Sequence, residues 1–188
     1  YHVNLTGGEP FLRNDLAEIA HIFFKNCRLK SIGIPTNGFD PEKIRRISEN
    51  IIKKCPNLNL QIDVSIDHFS EKHDQIRQFP GLLARAVQTI KMLKELNRKK
   101  LTLGVILTLT NENEKEIEKI YYFIRDMLKP DLISPLLIRG QVRVPETKNI
   151  AYEQYKKLIT IWANDIKLHK LKGYPNSIIG SLVAARDI

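Results

Sequence analysis

The sequence predicts an α/β fold: a partial (β/α) TIM-like barrel of parallel strands with helices outside. Three observations predict it. Short apolar runs alternate with helical patterns five times along the 188 residues. The runs are apolar at both odd and even positions, as strands of a covered parallel sheet are, and such strands are joined by right-handed crossovers. Every run ends in residues suited to holding a ligand: Thr6 to Glu9, Thr36 to Gly38, Ser65 to His68, Thr108 to Asn111, and Arg139. A barrel assembles its site from all its strand ends, whereas an open doubly wound sheet gathers ligands at one switch point.

Residues 1–6 read as the first strand of this chain, and Asn14 as the cap of a helix over 14–25 with Leu16, Ile19, Ala20 and Phe23 on one stripe. A strand over 31–34 ends in Pro35-Thr36-Asn37-Gly38. Asp40-Pro41 then opens a helix with cap and proline in the expected order, burying Ile44, Ile47 and Ile51 and ending before Pro56. The third strand, 60–66, delivers Ser65, Asp67 and His68, and residues 69–80 read as a polar loop. A long helix over 81–97 follows, then a strand over 101–109. Asn113 with Glu116 reads as a capping box for a helix reaching 128. The fifth strand spans 131–138 and ends at Arg139-Gly140. Tyr155, Leu158, Trp162 and Ile166 mark a further helix, and 176–185 a short last one.

Composition bounds the rest. With 43% hydrophobic and 27% charged residues the chain reads as a single soluble, globular domain over 1–188. No window approaches the ~18 apolar residues that span a bilayer, so no membrane is expected, and the expected location is the cytoplasm. The chain opens at Tyr1 inside an apparent strand, so the native N-terminus is expected to be missing. The net charge is +9, but its bases are dispersed. Lys25, Arg28 and Lys30, Lys53 and Lys54, and Arg98 to Lys100 each fall at a helix end, where the dipole favours cations. Nucleic acid is therefore not the expected partner. Cys27 and Cys55 form no C-x-x-C or metal spacing and read as two buried or half-buried free thiols. No G-x-G-x-x-G and no Walker loop is present.

The stretch Val3-Asn4-Leu5-Thr6-Gly7-Gly8-Glu9-Pro10 organises the chain. Gly7 and Gly8 let a ligand approach the backbone, Pro10 stiffens the turn, and Glu9 offers only acceptors. That suits a cationic group such as an ammonium. The same residues also suit a plain strand-to-helix turn with Glu9 near a helix N-terminus.

The ordered strand ends carry a resemblance. Gly7-Gly8-Glu9-Pro10 resembles the GGEP motif of radical S-adenosylmethionine (radical SAM) enzymes, and Thr36-Asn37-Gly38 resembles the TNG that ends their next strand. Val64-Ser65-Ile66-Asp67 with His73-Asp74-x-Ile76-Arg77 and Pro80-Gly81 is similar to the family's fourth strand and the loop after it. Asn111 sits where an asparagine follows the fifth strand, and Gly104-Val105-Ile106 faintly resembles an adenine-binding stretch, from which Leu107 departs.

The resemblance implies S-adenosylmethionine as cofactor. It implies that Gly7 to Pro10 grip the methionine ammonium, with Glu9 as ionic partner and Thr36 and Asn37 nearby. Ser65 and Asp67 would meet the ribose or the methionine end, Arg77 the carboxylate, and Asn111 would be a further contact. It implies a [4Fe-4S] cluster on three cysteines spaced C-x-x-x-C-x-x-C, and a 5′-deoxyadenosyl radical that abstracts hydrogen from a peptide or small-molecule substrate. An electron donor such as flavodoxin or ferredoxin would feed it. The three-cysteine motif is absent from these residues. The barrel's first strand and cysteine loop are therefore expected to be missing, the chain alone is expected to be inactive, and Cys27 and Cys55 cannot replace the motif. A cluster-less barrel that binds a small ligand is the alternative, and an RNA-modifying member a further one.

Overall fold

The computed structural model describes residues 1–96, 99–138 and 145–168. Five strands lie side by side in sequence order: β1 (His2–Asn4), β2 (Ser31–Thr36), β3 (Asn59–Ser65), β4 (Leu101–Leu109) and β5 (Leu132–Leu137). All four pairings are parallel, with Pro35 opposite Asp63, Asp63 opposite Gly104, and Ser65 opposite Ile106. The strands curl into a half-barrel with helices.

Alternate strand positions explain the layering. Ile32 and Ile34, Leu60, Ile62 and Val64, and Leu103, Val105 and Leu107 are buried. With Ile44, Ile47 and Ile51 of α2 (Pro41–Lys54) and Ala86, Ile90 and Leu93 of α4 (Leu82–Lys94) they make one apolar core. Each such side chain contributes roughly 1.5–3 kcal/mol on burial. Gln61, Ser65, Thr102, Ile106 and Thr108 point the other way and stay half-exposed. One face of the sheet thus carries the core, and the concave face remains open.

The helix caps follow the sequence in part. Asp40 accepts the Lys43 amide at 3.0 Å with Pro41 as first residue of α2, as expected. α1 is Leu16–Asn26, with Asp15 rather than Asn14 at its head, because a short 3₁₀ turn (Pro10–Leu12) intervenes. The stretch 69–80 is not all loop. It holds α3 (Lys72–Arg77), a polar helix pinned by the fully buried His73. Asp74 then caps α4, accepting from Gly81 N at 2.6 Å and Leu83 N at 2.8 Å.

The capping box at Asn113 does not form. The Asn113 carbonyl oxygen Oδ1 accepts the Thr110 amide, and its Nδ2 donates to the carbonyls of Asp67 and Thr108. Glu116 instead meets the His68 imidazole at 3.1 Å. Asparagine is recruited here to join two strand ends, a task only the folded sheet creates. α5 (Ile117–Tyr122) continues as a widened turn over Phe123–Leu128, and α6 is Tyr152–Lys167. Cys55 is buried, but Cys27 is exposed, against the expectation of two sheltered thiols, because it sits just beyond the end of α1. Arg139, Gly140 and the helix expected over 176–185 lie outside the described residues.

Candidate functional site

The C-terminal ends of β1, β2 and β3 enclose a cleft of about 510 Å³. Gly7, Gly8, Glu9, Pro10, Thr36, Asn37, Ser65 and Arg77 line it, joined by Pro35, Phe79 and Leu82. Eight of the ten residues singled out in the sequence therefore share one wall.

Glu9 is the hub of that wall. Its Oε1 accepts from Phe11 N at 3.2 Å and from the Thr36 hydroxyl at 2.9 Å, and its Oε2 accepts from Asn37 N at 2.7 Å. One carboxylate thus caps the 3₁₀ turn and clamps the end of β2. A carboxylate has about four lone-pair sites, so one acceptor direction remains on this group. Thr36 is buried and passes the interaction on by accepting the Gly38 amide at 3.1 Å. Asn37 turns its Oδ1 onto the Phe39 amide at 3.0 Å, which is turn chemistry. The strand-to-helix reading of Glu9 is therefore realised, and the cleft lies beside it.

The glycines separate into two kinds. Gly38 has φ +81°, and a Cβ there would stand 2.8 Å from the Ala86 backbone, so the fold itself demands glycine. A Cβ on Gly7 or Gly8 would meet nothing within 4 Å, and neither has positive φ. The fold has no use for glycine at either position. Both line the cleft, where a side chain would meet open space.

Arg77 reaches the cleft from α3. Its Nε donates to Asp67 Oδ2 at 2.6 Å, and Asp67 Oδ1 accepts the Thr108 amide at 3.0 Å. Asp67 is almost wholly buried and does not line the cleft, so it holds the arginine from behind. The two terminal nitrogens of Arg77 have no partner among the described residues, and the residue lines the cleft. The Asp67 amide in turn donates to His73 Nδ1 at 3.1 Å. Nδ1 is thus an acceptor, and neutral His73 carries its proton on Nε2, which is buried without a partner. Burial pushes the His73 imidazole below its ordinary value. The hydroxyl of Ser65, half-exposed at the end of β3, makes no hydrogen bond among the described residues. Asn111 stands apart from the cleft: its amide meets Thr147 O at 3.2 Å, and its Oδ1 is buried without a partner.

Sequence reasoning missed Phe79 and Leu82 as wall residues, Asn113 as the link between strand ends, and His73 as the prop under Asp67. The spacing His73-Asp74-x-x-Arg77 was the available signal for the last. Asp63, on the concave face, was also missed, and no pattern in the sequence marked it.

The cofactor and the cluster fare differently on these residues. The open cradle at Gly7 and Gly8, the spare acceptor on Glu9 and the free fork of Arg77 fit a zwitterionic amino-acid end. No group of three histidine, cysteine or acidic side chains among the described residues can hold a metal. Cys27 follows α1 and precedes β2, and Cys55 follows α2 and precedes β3, so both sit at the end of the sheet opposite the cleft. These residues do not fit a [4Fe-4S] cluster.

Comparison with known proteins gives three likenesses. The family model described as Radical SAM superfamily matches residues 1–124. GTP 3',8-cyclase of Actinobacillus pleuropneumoniae is 27% identical over 124 residues, 66% of this chain and 34% of that protein. Fe-coproporphyrin III synthase of Methanosarcina barkeri is 26% identical over 179 residues, 93% of this chain and 41% of that protein. The solved structure of anSMEcpe with bound AdoMet and the Cp18Cys peptide superposes with a TM-score of 0.62 at 15% identity, covering 90% of this chain and 48% of that one. The chain therefore spans less than half the length of each of these three proteins. No helix among the described residues is long and apolar enough to cross a membrane.

Proposed function

This chain belongs to the Radical SAM superfamily, and from that premise we propose that the cleft at the ends of β1 to β3 binds S-adenosylmethionine for a radical enzyme. The superfamily uses S-adenosylmethionine and a [4Fe-4S] cluster. Bound there, the cofactor supplies a carbon–sulfur bond whose reductive cleavage starts the chemistry of the family. The residues of this chain hold it. The Gly7-Gly8 backbone lies against its methionine end, and Glu9 Oε2 accepts from the ammonium. The Arg77 fork takes the carboxylate, two parallel donors being matched to that group. The Ser65 hydroxyl serves the ribose, while Asp67, Thr36 and Asn37 keep these groups in place. The cluster thiolates are not among these residues, so no step is assigned to Cys27 or Cys55.

The observation that carries this reading is the pair of glycines that line the cleft and at which a side chain would touch nothing of the fold. The substrate class is a peptide or a small molecule. The peptide in the anSMEcpe structure and the nucleotide and porphyrin names of the two relatives mark that range.

The test is Gly8→Val. It adds a side chain where nothing touches it, at a position without positive φ. The melting temperature should stay within about 2 °C, since surface changes of this kind stay near 0.5 kcal/mol. Affinity for S-adenosylmethionine, measured by calorimetry, should fall at least tenfold. Unchanged affinity with unchanged stability would overturn the reading.

A further inference from the structure

The concave face beside the cleft holds a carboxylate that nothing so far explains. Asp63 faces it from β3, next to Pro35, which lines the cleft, and two residues before Ser65, which lines it too. Two residues of strand are about 7 Å. Asp63 is only 8% exposed, and its one hydrogen-bond partner among the described residues is the Gln61 amide, which donates to both oxygens at 3.0 and 2.9 Å, with the His2 imidazole near enough to favour its charged form. The chain has 30 lysines and arginines against 21 acids, yet none of those bases pairs with Asp63 among the described residues.

Two glycines floor the site. A Cβ on Gly104, opposite Asp63 on β4, would come within 1.8 Å of its Oδ1. A Cβ on Gly33 would come within 2.2 Å of Asn4 Oδ1. Asn4 and Asp63 thus lie flat over glycine, with the His2 ring beside Asn4 and the half-exposed Gln61, Ser65, Thr102 and Ile106 around Asp63. Glycine inside a strand weakens it, and a shielded carboxylate with one neutral partner is poorly compensated. Burial accordingly pushes the Asp63 carboxyl above its ordinary value. Two local costs at one spot, bordering a cleft, are the mark of a functional position.

We propose that this floor, centred on Asp63 and Gln61, binds a cationic nitrogen group (guanidinium, amidinium or ammonium) of the molecule that reacts beside the cleft. Ionised Asp63 has two acceptor directions left after Gln61, and Gln61 Oε1 adds a neutral acceptor beside it, while Asn4 Oδ1 is engaged by the His2 ring at 2.9 Å. A carboxylate with acceptor directions to spare selects donors. The assignment rests on the cleft being the cofactor site, and it deepens that reading by naming the chemistry of the second ligand.

The 188-residue chain carrying ¹³C-labelled aspartate tests both. The Asp63 carboxyl signal, assigned by loss in Asp63→Asn, is titrated with n-butylguanidinium, n-butylammonium and S-adenosylmethionine at constant ionic strength. The organic cations should bind with millimolar dissociation constants, the range for a single charged contact. They should also lower the apparent pKa of Asp63, with the guanidinium ahead if the fork geometry matters. Gly104→Ala, which lifts the carboxylate off its floor, should weaken them at least fivefold. Asp63→Asn should leave S-adenosylmethionine affinity within threefold. If S-adenosylmethionine shifts the Gly7 and Gly8 amides while no cation moves Asp63, the floor proposal fails and the cleft reading stands. If the cations move Asp63 while S-adenosylmethionine leaves the Gly7 and Gly8 amides unmoved, the cleft reading fails instead. If S-adenosylmethionine displaces the organic cations from Asp63, the carboxylate belongs to the cofactor and the second-ligand proposal is overturned.

Discussion

Arg77 is anchored at its elbow by Asp67: Nε donates to Oδ2 at 2.6 Å, and the terminal nitrogens keep no partner among the described residues. A lysine has no second nitrogen with which to make both contacts. Arg77→Lys is expected to lose one charge-assisted hydrogen bond, roughly 1.5–3 kcal/mol, and so about 10- to 100-fold in S-adenosylmethionine affinity. Asp67→Asn should weaken binding less while lowering the melting temperature, because it also disturbs the bond from Thr108. Calorimetry and thermal melts separate the two. Wild-type affinity in Arg77→Lys would remove the arginine from the site.

Glu9 makes three bonds within the fold and in the proposed site also meets the cofactor ammonium, so Glu9→Gln should move both readouts. The amide turns one acceptor into a donor that faces either the Thr36 hydroxyl and Phe11 amide or the Asn37 amide. Stability should fall by about 1–3 kcal/mol, and cofactor affinity by at least tenfold. A urea midpoint unchanged from wild type would show that the three bonds to Glu9 contribute nothing net.

Gly38→Ala is the counterpart of the glycine change in the cleft. Its φ of +81° and the 2.8 Å approach to Ala86 leave a methyl group nowhere to go. A loss of about 1–3 kcal/mol is expected, with cofactor affinity per folded molecule kept. Chemical denaturation reads it, and a neutral outcome would mean that the turn relaxes freely.

His73 gives stability a pH dependence of known sign. Burial holds its folded pKa below the ordinary 6.5, while Asp67 and Asp74 oppose that shift and Arg77 and His68 reinforce it. The unfolded chain therefore binds more protons between the depressed value and 6.5. The contribution is complete above pH 6.5 and is lost as pH falls towards the folded pKa. His73→Asn keeps an acceptor for the Asp67 amide and removes the titration. Its melting temperature should fall less steeply than that of wild type between pH 6.5 and pH 5. Parallel curves would show that His73 does not titrate in this window.

How far the sequence disclosed this molecule follows from what each signal depends on. β4 is Leu101–Leu109 as its apolar run predicts, and Asp40-Pro41 caps α2 as predicted, because periodicity and caps are local. The turn at Gly7 to Pro10 and the strand end at Ser65 were legible as polar residues closing apolar runs. Asn113 was misread because its three partners come from two strand ends brought together only by folding. α3 was misread because its helix is polar outside, with one histidine for a core. Asp63 was silent, since a lone aspartate in an apolar strand looks like noise until its register against Gly104 is known. That Asp67 supports Arg77 rather than facing the cleft depends on side-chain direction, which spacing does not carry.

The strand order β1 to β5 also bears on how the molecule forms during synthesis. Among the described residues each strand pairs with its chain neighbour, so none of these pairings waits for a segment beyond the next unit to emerge from the ribosome. Each pairing closes the loop of one crossover and can form as soon as that unit is made, which suits stepwise growth. The bonds that complete the cleft keep the same schedule: Glu9 meets Thr36 and Asn37 when the second unit arrives, and Asp67 meets Thr108 when the fourth strand does. Each new unit locks the strand end delivered before it, so the wall of the cleft is assembled in the order in which it is translated.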